Sequence, residues 1–263
     1  MANDSGKIPS TPVQSPELDE LDCVWIKYKD YGHKRDPEEQ KIRNNQVHKR
    51  IAECRQALHV LENVNMGRTI ARLSDQNFDL EQFKDMLDFS RTAIVGHSFG
   101  GATVLGALSK DTDFKVGVVL DGWMFPLDSD IVTSVTQPTL FINMDHFQWK
   151  ANLKEMFRVI KSPPDCPSQK LMYTIRGSVH QGQADTPFLL TGRLVGFLLK
   201  VRGSIDPHLC MQINNELLLA FLHQHLLDAN PALLSTVVQR HTDWVVEGTT
   251  VELDTEEEQP IPA

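Results

Sequence analysis

The densest chemistry in the sequence lies at Gly96-His97-Ser98-Phe99-Gly100-Gly101-Ala102, directly after the apolar run Ala93-Ile94-Val95. A serine hydroxyl is a weak nucleophile until a base takes its proton. The residue types around Ser98 are those that expose such a hydroxyl on a sharp strand-to-helix turn. Glycine at 96 and 100 leaves room for neighbouring backbone, while Gly101 and Ala102 let the following helix approach the sheet. That helix would point its N-terminus at Ser98, so the Phe99 amide could donate to a developing oxyanion. A bare GxSxG pentapeptide is a weak signal, and the strand before it and the helix after it supply the context it needs. The bland alternative is a tight turn carrying an unreactive serine.

A nucleophilic serine needs a histidine base, and the base needs a carboxylate to orient it. His180 is the favoured base, in the loop Arg176-Gly177-Ser178-Val179-His180-Gln181-Gly182 just past the last core strand. His146, His208, His223, His225 and His241 also follow the serine, and the later ones sit in helical or tail sequence that favours the surface. His97 should point away along the turn and serve in packing. Two carboxylates compete for the third role: Asp121 ends the run 116–120, and Asp145 follows the run 139–143. Both stand at carboxyl ends of expected strands, where active-site groups gather in open α/β sheets, and spacing alone does not separate them. Asp128, Asp130 and Asp185 fall in loops and read as solvated.

The elements that must position these groups are legible in outline. Residues 1–20 are rich in Ser, Pro and Asp without periodicity, which predicts a loose arm. Asp36, Pro37 and Glu39 then mark a helix start, and Val47, Ile51, Leu58 and Leu61 place an apolar stripe on one face. A second start is expected at Asp79, with Gln82 three residues on and a Phe78–Phe83 staple. From Thr92 onward, short apolar runs at 92–95, 116–120, 139–143 and 171–174 alternate with helical stretches near 100–109, 151–160 and 188–200. Strands apolar on both faces and separated by helices predict a parallel sheet of βαβ units. A long amphipathic helix over 210–227 closes the domain, expected to span 21–248, and the acidic segment 249–263 reads as a solvated tail.

With 263 residues and 41% hydrophobic content, the chain can bury one sizeable core. Its net charge of −9 argues against a nucleic-acid partner. It leaves open a membrane surface reached through a local apolar patch. The four cysteines are far apart and show no metal or disulfide framework spacing, so free thiols in a reducing compartment are expected. The first ten residues lack an apolar signal region, and no apolar run is long enough to span a bilayer. As written, the expected location is cytoplasmic, with secretion the alternative if the sequence begins late.

Three blocks suggest a family. Gly96-His97-Ser98-Phe99-Gly100-Gly101-Ala102-Thr103, then Leu120-Asp121-Gly122-Trp123-Met124-Phe125-Pro126-Leu127, then Gly177-Ser178-Val179-His180 closely resemble the platelet-activating factor acetylhydrolases, in both their plasma (lipoprotein-associated phospholipase) and intracellular type II forms. The resemblance runs from about Trp25 through Arg43-Asn44-Asn45-Gln46-Val47 to about Gly248. It implies an α/β-hydrolase fold and calcium-independent hydrolysis of the sn-2 acetyl or short oxidised acyl ester of a phospholipid, with no cofactor and no metal. Ser98 matches the family nucleophile, His180 its base, Asp121 its acid and Phe99 the donor of one oxyanion amide. Trp123, Phe125 and Gln181 match positions near the acyl pocket, although core packing or a loop contact would account for them equally. Leu194, Val195, Phe197 and Leu198 match a membrane-facing segment, with burial inside the fold the alternative.

The family is longer at its N-terminus, where it carries early strands, a second membrane-contact helix and a His-Gly segment supplying another oxyanion amide. No His-Gly dipeptide occurs here. The resemblance therefore implies a fold incomplete at its N-terminus, with the strand at 92–95 lacking a neighbour on one side unless the arm or another chain covers it. Two other functions compete: a general carboxylesterase or lipase using the same triad, and a catalytically silent fragment acting through lipid or partner binding.

Overall fold

The computed structural model of the chain describes residues 10–13, 24–27, 36–68, 79–110, 113–189, 201–227 and 230–253. They fall into two compact units, Met1–Phe89 with Phe125–Asp128 and Ser90–Met124 with Ser129–Ala263.

In the first unit, β1 (Ser10–Val13) pairs antiparallel with β2 (Val24–Lys27), so part of the expected loose arm forms a strand. Helix α1 (Pro37–Asn65) begins where the sequence says it should. The Asp36 carboxylate accepts the Glu39 N–H at 2.8 Å, satisfying a donor that the first helical turn would otherwise leave unmet. Val47, Ile51 and Leu58 of the predicted stripe are buried, but Leu61 is 48% exposed. The last turn is met instead by the segment after it: Asn65 accepts the Leu87 N–H through Oδ1 at 2.8 Å and the Asp85 N–H through its carbonyl at 2.9 Å. The second helix start yields only a 3₁₀ turn, Leu80–Phe83, capped by Asp79. The Phe78 half of the expected staple lies outside the described residues. Helix α1 also holds the segment Phe125–Asp128, through Asn44 Nδ2 to the Pro126 carbonyl at 3.0 Å and His48 Nε2 to Asp128 Oδ2 at 2.8 Å. Asp128, read from sequence as solvated, keeps a side chain 46% exposed while it pairs with the His48 ring.

The second unit is built on a five-stranded sheet. Strands β3 (Ala93–His97), β4 (Val116–Leu120), β5 (Thr139–Met144) and β6 (Lys170–Ile175) run parallel in sequence order, and β7 (Val245–Glu247) closes the edge antiparallel to β6. Every residue of β5 is buried, as a parallel strand covered on both faces requires. Helices α2 (Phe99–Lys110), α3 (Ser129–Ser134) and α4 (Lys150–Lys161) supply the successive crossovers along one face. On the other face, α6 (Pro207–Leu226) and α7 (Ala232–Arg240) bury Ile213, Leu217, Phe221, Leu234 and Val237 against Val118, Leu140, Ile142 and Ile175. The short helix α5 (Thr186–Leu189) lies between the two groups in sequence.

This is the parallel βαβ sheet expected from the apolar runs. Three strands or α-helices of this unit went unread: α3, α7 and β7 have only six, nine and three residues, too few for a period to stand out. Strand β3 pairs with β4 alone among the described residues, and its Val95 is 44% exposed. Lys170 carries a second structural task, its Nζ donating to the carbonyls of Val135, Val159 and Ser162 and so closing the C-terminal end of α4.

Glycines at the head of α2 divide sharply. A Cβ on Gly101 would lie 2.8 Å from the Gly122 Cα and from Val119 Cγ1, so only glycine lets this helix meet the strand ends so closely. A Cβ on Gly100 would meet nothing within 4 Å, contrary to the sequence expectation that both it and Gly96 are there for room. Gly101→Ala should cost about 1–3 kcal/mol of stability as overpacking. Gly100→Ala should be neutral or gain a few tenths of a kcal/mol from roughly better helix propensity. Denaturant unfolding of the two variants measures the contrast.

Candidate active site

Ser98 stands between β3 and α2 with φ of 59°, a left-handed backbone rare for a residue with a side chain. Three backbone bonds hold it there. Its N–H donates to the Leu120 carbonyl at 2.9 Å, and its own carbonyl accepts from Gly101 N–H and Trp123 N–H, each at 3.0 Å. Gly96 is needed for this corner, because a Cβ there would fall 2.2 Å from the Gly100 carbonyl oxygen. The result is a hydroxyl standing above the carboxyl end of the sheet at the N-terminus of α2. Phe99, the first residue of that helix, brings its amide to the end where N–H groups and the helix dipole favour negative charge.

Asp121 occupies the equivalent corner after β4, with φ of 50°. Its N–H donates to the Ile142 carbonyl at 2.9 Å, and its Oδ1 accepts the Met144 N–H at 2.9 Å, so the end of β5 fixes both backbone and carboxylate. Oδ2 remains for His180, whose Nδ1 donates to it at 2.6 Å. With that nitrogen protonated, Nε2 presents its lone pair to Ser98 Oγ–H at 3.0 Å. Three groups at the ends of β3, β4 and β6 thus form one chain of hydrogen bonds. It can take the serine proton as the hydroxyl attacks and balance the resulting imidazolium with a carboxylate.

Environment tunes the carboxylate and one neighbouring ring. Asp121 is 1% exposed, and burial pushes its carboxyl up to about 6, with the hydrogen bond and charge of His180 and the Met144 N–H opposing the rise. His97 does not point away as the sequence suggested: its ring centroid lies 4.4 Å from that of His180. Burial, then the neighbouring His180, lowers His97 to about 4, so it stays neutral and adds no second positive charge beside the base. Phe147 stacks on the His180 ring at 3.7 Å. His97, Asp121 and His180 offer metal-ligating atoms within 4.8 Å of one another. Asp121 and His180, however, already spend theirs on each other and His180 its second nitrogen on Ser98, which favours proton relay over metal ligation.

The structure also places the remaining candidates. Trp123 is brought to the nucleophile through its amide, and its ring lies 6.0 Å from that of Phe99. Gln181 follows the base in the 3₁₀ turn His180–Gln183 and is half-buried. Phe125 belongs to the first compact unit, not to the one carrying Ser98. Leu194, Val195, Phe197 and Leu198 lie outside the described residues. Asp145, the rejected rival for the acid, accepts Gly177 N–H instead. Sequence reasoning missed Phe147 and Asn152. Buried Asn152 clamps the loop after the acid, its Nδ2 donating to the Gly122 carbonyl and its Oδ1 accepting the Met124 N–H, both at 2.8 Å. A polar side chain between the core residues Leu153 and Met156 and the end of β5 was its only signal.

Sheet, crossovers and corner serine together are those of the α/β-hydrolase fold. A ferulic acid esterase from Streptomyces cinnamoneus shares it, with TM-score 0.59 at 17% identity over 90% of this chain and 62% of that one. The chain belongs to the platelet-activating factor acetylhydrolase, isoform II, family, whose model matches residues 4–233. It is 46% identical over 189 residues to the platelet-activating factor acetylhydrolase of Canis lupus familiaris, covering 72% of this chain and 41% of that protein. The Gallus gallus protein of the same name is 40% identical over 215 residues, covering 80% and 49%. A putative phospholipase A2 of Schizosaccharomyces pombe is 27% identical over 240 residues, covering 74% of this chain and 55% of that protein. The chain therefore spans less than half the length of the two vertebrate relatives.

The raised carboxyl of Asp121 has a consequence for stability. Its folded value lies above the ordinary 3.8, so the folded state holds this proton more tightly than the unfolded chain does. Stability is thus lost as pH rises through the interval from about 4 to about 6. Asp121→Asn removes this charge while keeping an acceptor for the Met144 N–H. It should raise the thermal midpoint near neutral pH by more than it does near pH 4, roughly the opposite of a surface carboxylate's behaviour. Thermal denaturation of both proteins across that range reads the difference.

Proposed function

We propose that this chain is a serine esterase that hydrolyses the sn-2 acetyl or short oxidised acyl ester of platelet-activating factor-like phospholipids, without calcium. The observation carrying the reading is the hydrogen-bonded series from Ser98 Oγ through His180 to buried Asp121, at 3.0 and 2.6 Å. The names of the family and of the vertebrate relatives supply the substrate class.

The chemistry follows from the geometry. Ser98 Oγ attacks the ester carbonyl carbon while its proton passes to His180 Nε2. The carbonyl oxygen becomes an oxyanion facing the Phe99 amide at the head of α2. As the tetrahedral intermediate collapses, the bond to the glycerol oxygen breaks and His180 returns the proton to that leaving oxygen, releasing the lyso-lipid. Water then attacks the acyl-serine with His180 again as base, and the acid leaves with Ser98 restored. Trp123, whose N–H donates to the Ser98 carbonyl, and Gln181, which follows the base in sequence, are assigned to the acyl pocket. The apolar residues Leu194, Val195, Phe197 and Leu198 are assigned to the lipid surface.

A second reading is favoured by one observation: β3, which carries the nucleophile, is paired on one side only among the described residues. A nucleophile strand supported on one side is held less firmly, which fits a chain that turns substrate over weakly.

Acetate release from 1-alkyl-2-acetylglycerophosphocholine should be abolished in Ser98→Ala and unchanged by a metal chelator. The rate should fall steeply as the sn-2 acyl group lengthens from acetyl to palmitoyl. A rate indifferent to acyl length points instead to a general carboxylesterase or lipase, and chelator-sensitive turnover refutes the serine mechanism. Vesicle binding without acetate release supports the silent reading.

A further inference from the structure

The base is carried on a loop, and one side chain that takes no part in the proton relay braces that loop from below. Asp145 opens the 3₁₀ turn Asp145–Phe147 at the end of β5. Its Oδ2 accepts the Gly177 N–H at 2.9 Å, and its Oδ1 accepts the Thr250 hydroxyl at 2.6 Å. The contact is reciprocal: Asp145 N–H donates to Ser178 Oγ at 3.1 Å, His146 N–H donates to the Ser178 carbonyl at 3.0 Å, and Ser178 Oγ in turn donates to the Ile175 carbonyl. Two residues beyond Asp145, Phe147 stacks on the His180 ring. A single short turn therefore fixes both the backbone that carries the histidine and the face of its imidazole.

The segment after β7 completes the brace. Thr250 reaches Asp145 Oδ1 and also accepts from Gln148 Nε2 at 3.1 Å, while Thr249 Oγ1 donates to Gln148 Oε1. On the loop's other side, Gly177 has φ of 65° and its carbonyl accepts the Ile205 N–H at 3.2 Å. A Cβ at Gly177 would fall 2.2 Å from Ser204 Oγ, so the loop is confined there too.

Resting on the serine-hydrolase reading above, we propose that Asp145 is a positioning residue for His180, locked in place by Thr250. It holds Gly177 and Ser178 so that the imidazole meets Ser98 and Asp121 at once. The residues 249–251, at the start of what reads in sequence as a solvated tail, are then part of the catalytic scaffold. A displacement of about 1 Å in a reacting group lowers rates on the order of a hundredfold, so the brace is worth far more to rate than to binding.

The test compares the parent chain with Asp145→Ala, Asp145→Asn and Thr250→Val. The readouts are the rate of Ser98 modification by a fluorophosphonate, circular dichroism to confirm folding, and the downfield proton resonance of the His180–Asp121 hydrogen bond. Asp145→Ala should label roughly ten- to a hundredfold more slowly and lose or broaden the resonance. Asp145→Asn, which keeps an acceptor for the Gly177 N–H, should recover most of the rate, and Thr250→Val should fall between. Combining Asp145→Ala with Thr250→Val should slow labelling no further than Asp145→Ala alone, because both act through one contact. Folded Asp145→Ala with parental rate and resonance overturns the proposal. If that variant does not fold, Thr250→Val decides, and a parental rate and resonance there overturn it equally. Should the parent itself resist labelling, the serine-hydrolase reading fails, and the resonance alone then judges the positioning claim.

Discussion

Two corners of left-handed backbone, at Ser98 and Asp121, govern the site. Each costs about 1–2 kcal/mol for a residue with a Cβ, and each persists because the next strand pins it. The end of β4 holds the first corner through the Leu120 carbonyl, and the end of β5 holds the second through the Ile142 carbonyl and the Met144 N–H. Parallel register therefore does more than build a core. It delivers nucleophile and acid at a fixed offset, and a slip of one residue would turn every side chain on a strand to the opposite face. The close approach of Gly101 to Gly122 seats the helix that faces the serine against the same two corners.

Electrostatics at the site run against folding. A carboxylate as buried as Asp121 is held ionised only by what it accepts: the Met144 N–H and the His180 ring. Removing the base would leave an uncompensated charge in the core, so the two residues depend on each other more than either depends on Ser98. The neighbouring His97 ring adds contact without charge, since burial keeps it neutral. An imidazole that gains a proton beside a neutral ring and against a carboxylate forms a stable pair, whereas beside a second cation it would not.

Much of this was legible in the residues because it depends on local chemistry. The glycines around Ser98 announce a corner, and an apolar run of β-branched residues before them announces a strand. The Asp36-Pro37 pair announces α1. Choosing Asp121 over Asp145 was beyond spacing, because both end parallel strands, and only the resemblance to a family preferred one. The structure gives the reason in space. His180 approaches over the end of β4, while Asp145 at the end of β5 faces the loop's backbone. His97 was misread because the turn after β3 carries its ring toward the base. Thr250 lay in a stretch whose acidity spoke for solvent, and nothing local marks a threonine that will reach a carboxylate 105 residues earlier in the chain.

Membership of the family rests on the match over residues 4–233 and the fold on the whole sheet, whereas activity in this chain rests on one short series of contacts beyond the ends of β3, β4 and β6. Stoichiometric titration with a fluorophosphonate, read by intact mass and peptide mapping, reports on that series without reference to any substrate. The account predicts close to one adduct per chain, located on Ser98 and absent in His180→Ala. A folded chain that takes up no adduct, or takes it up elsewhere, would contradict it.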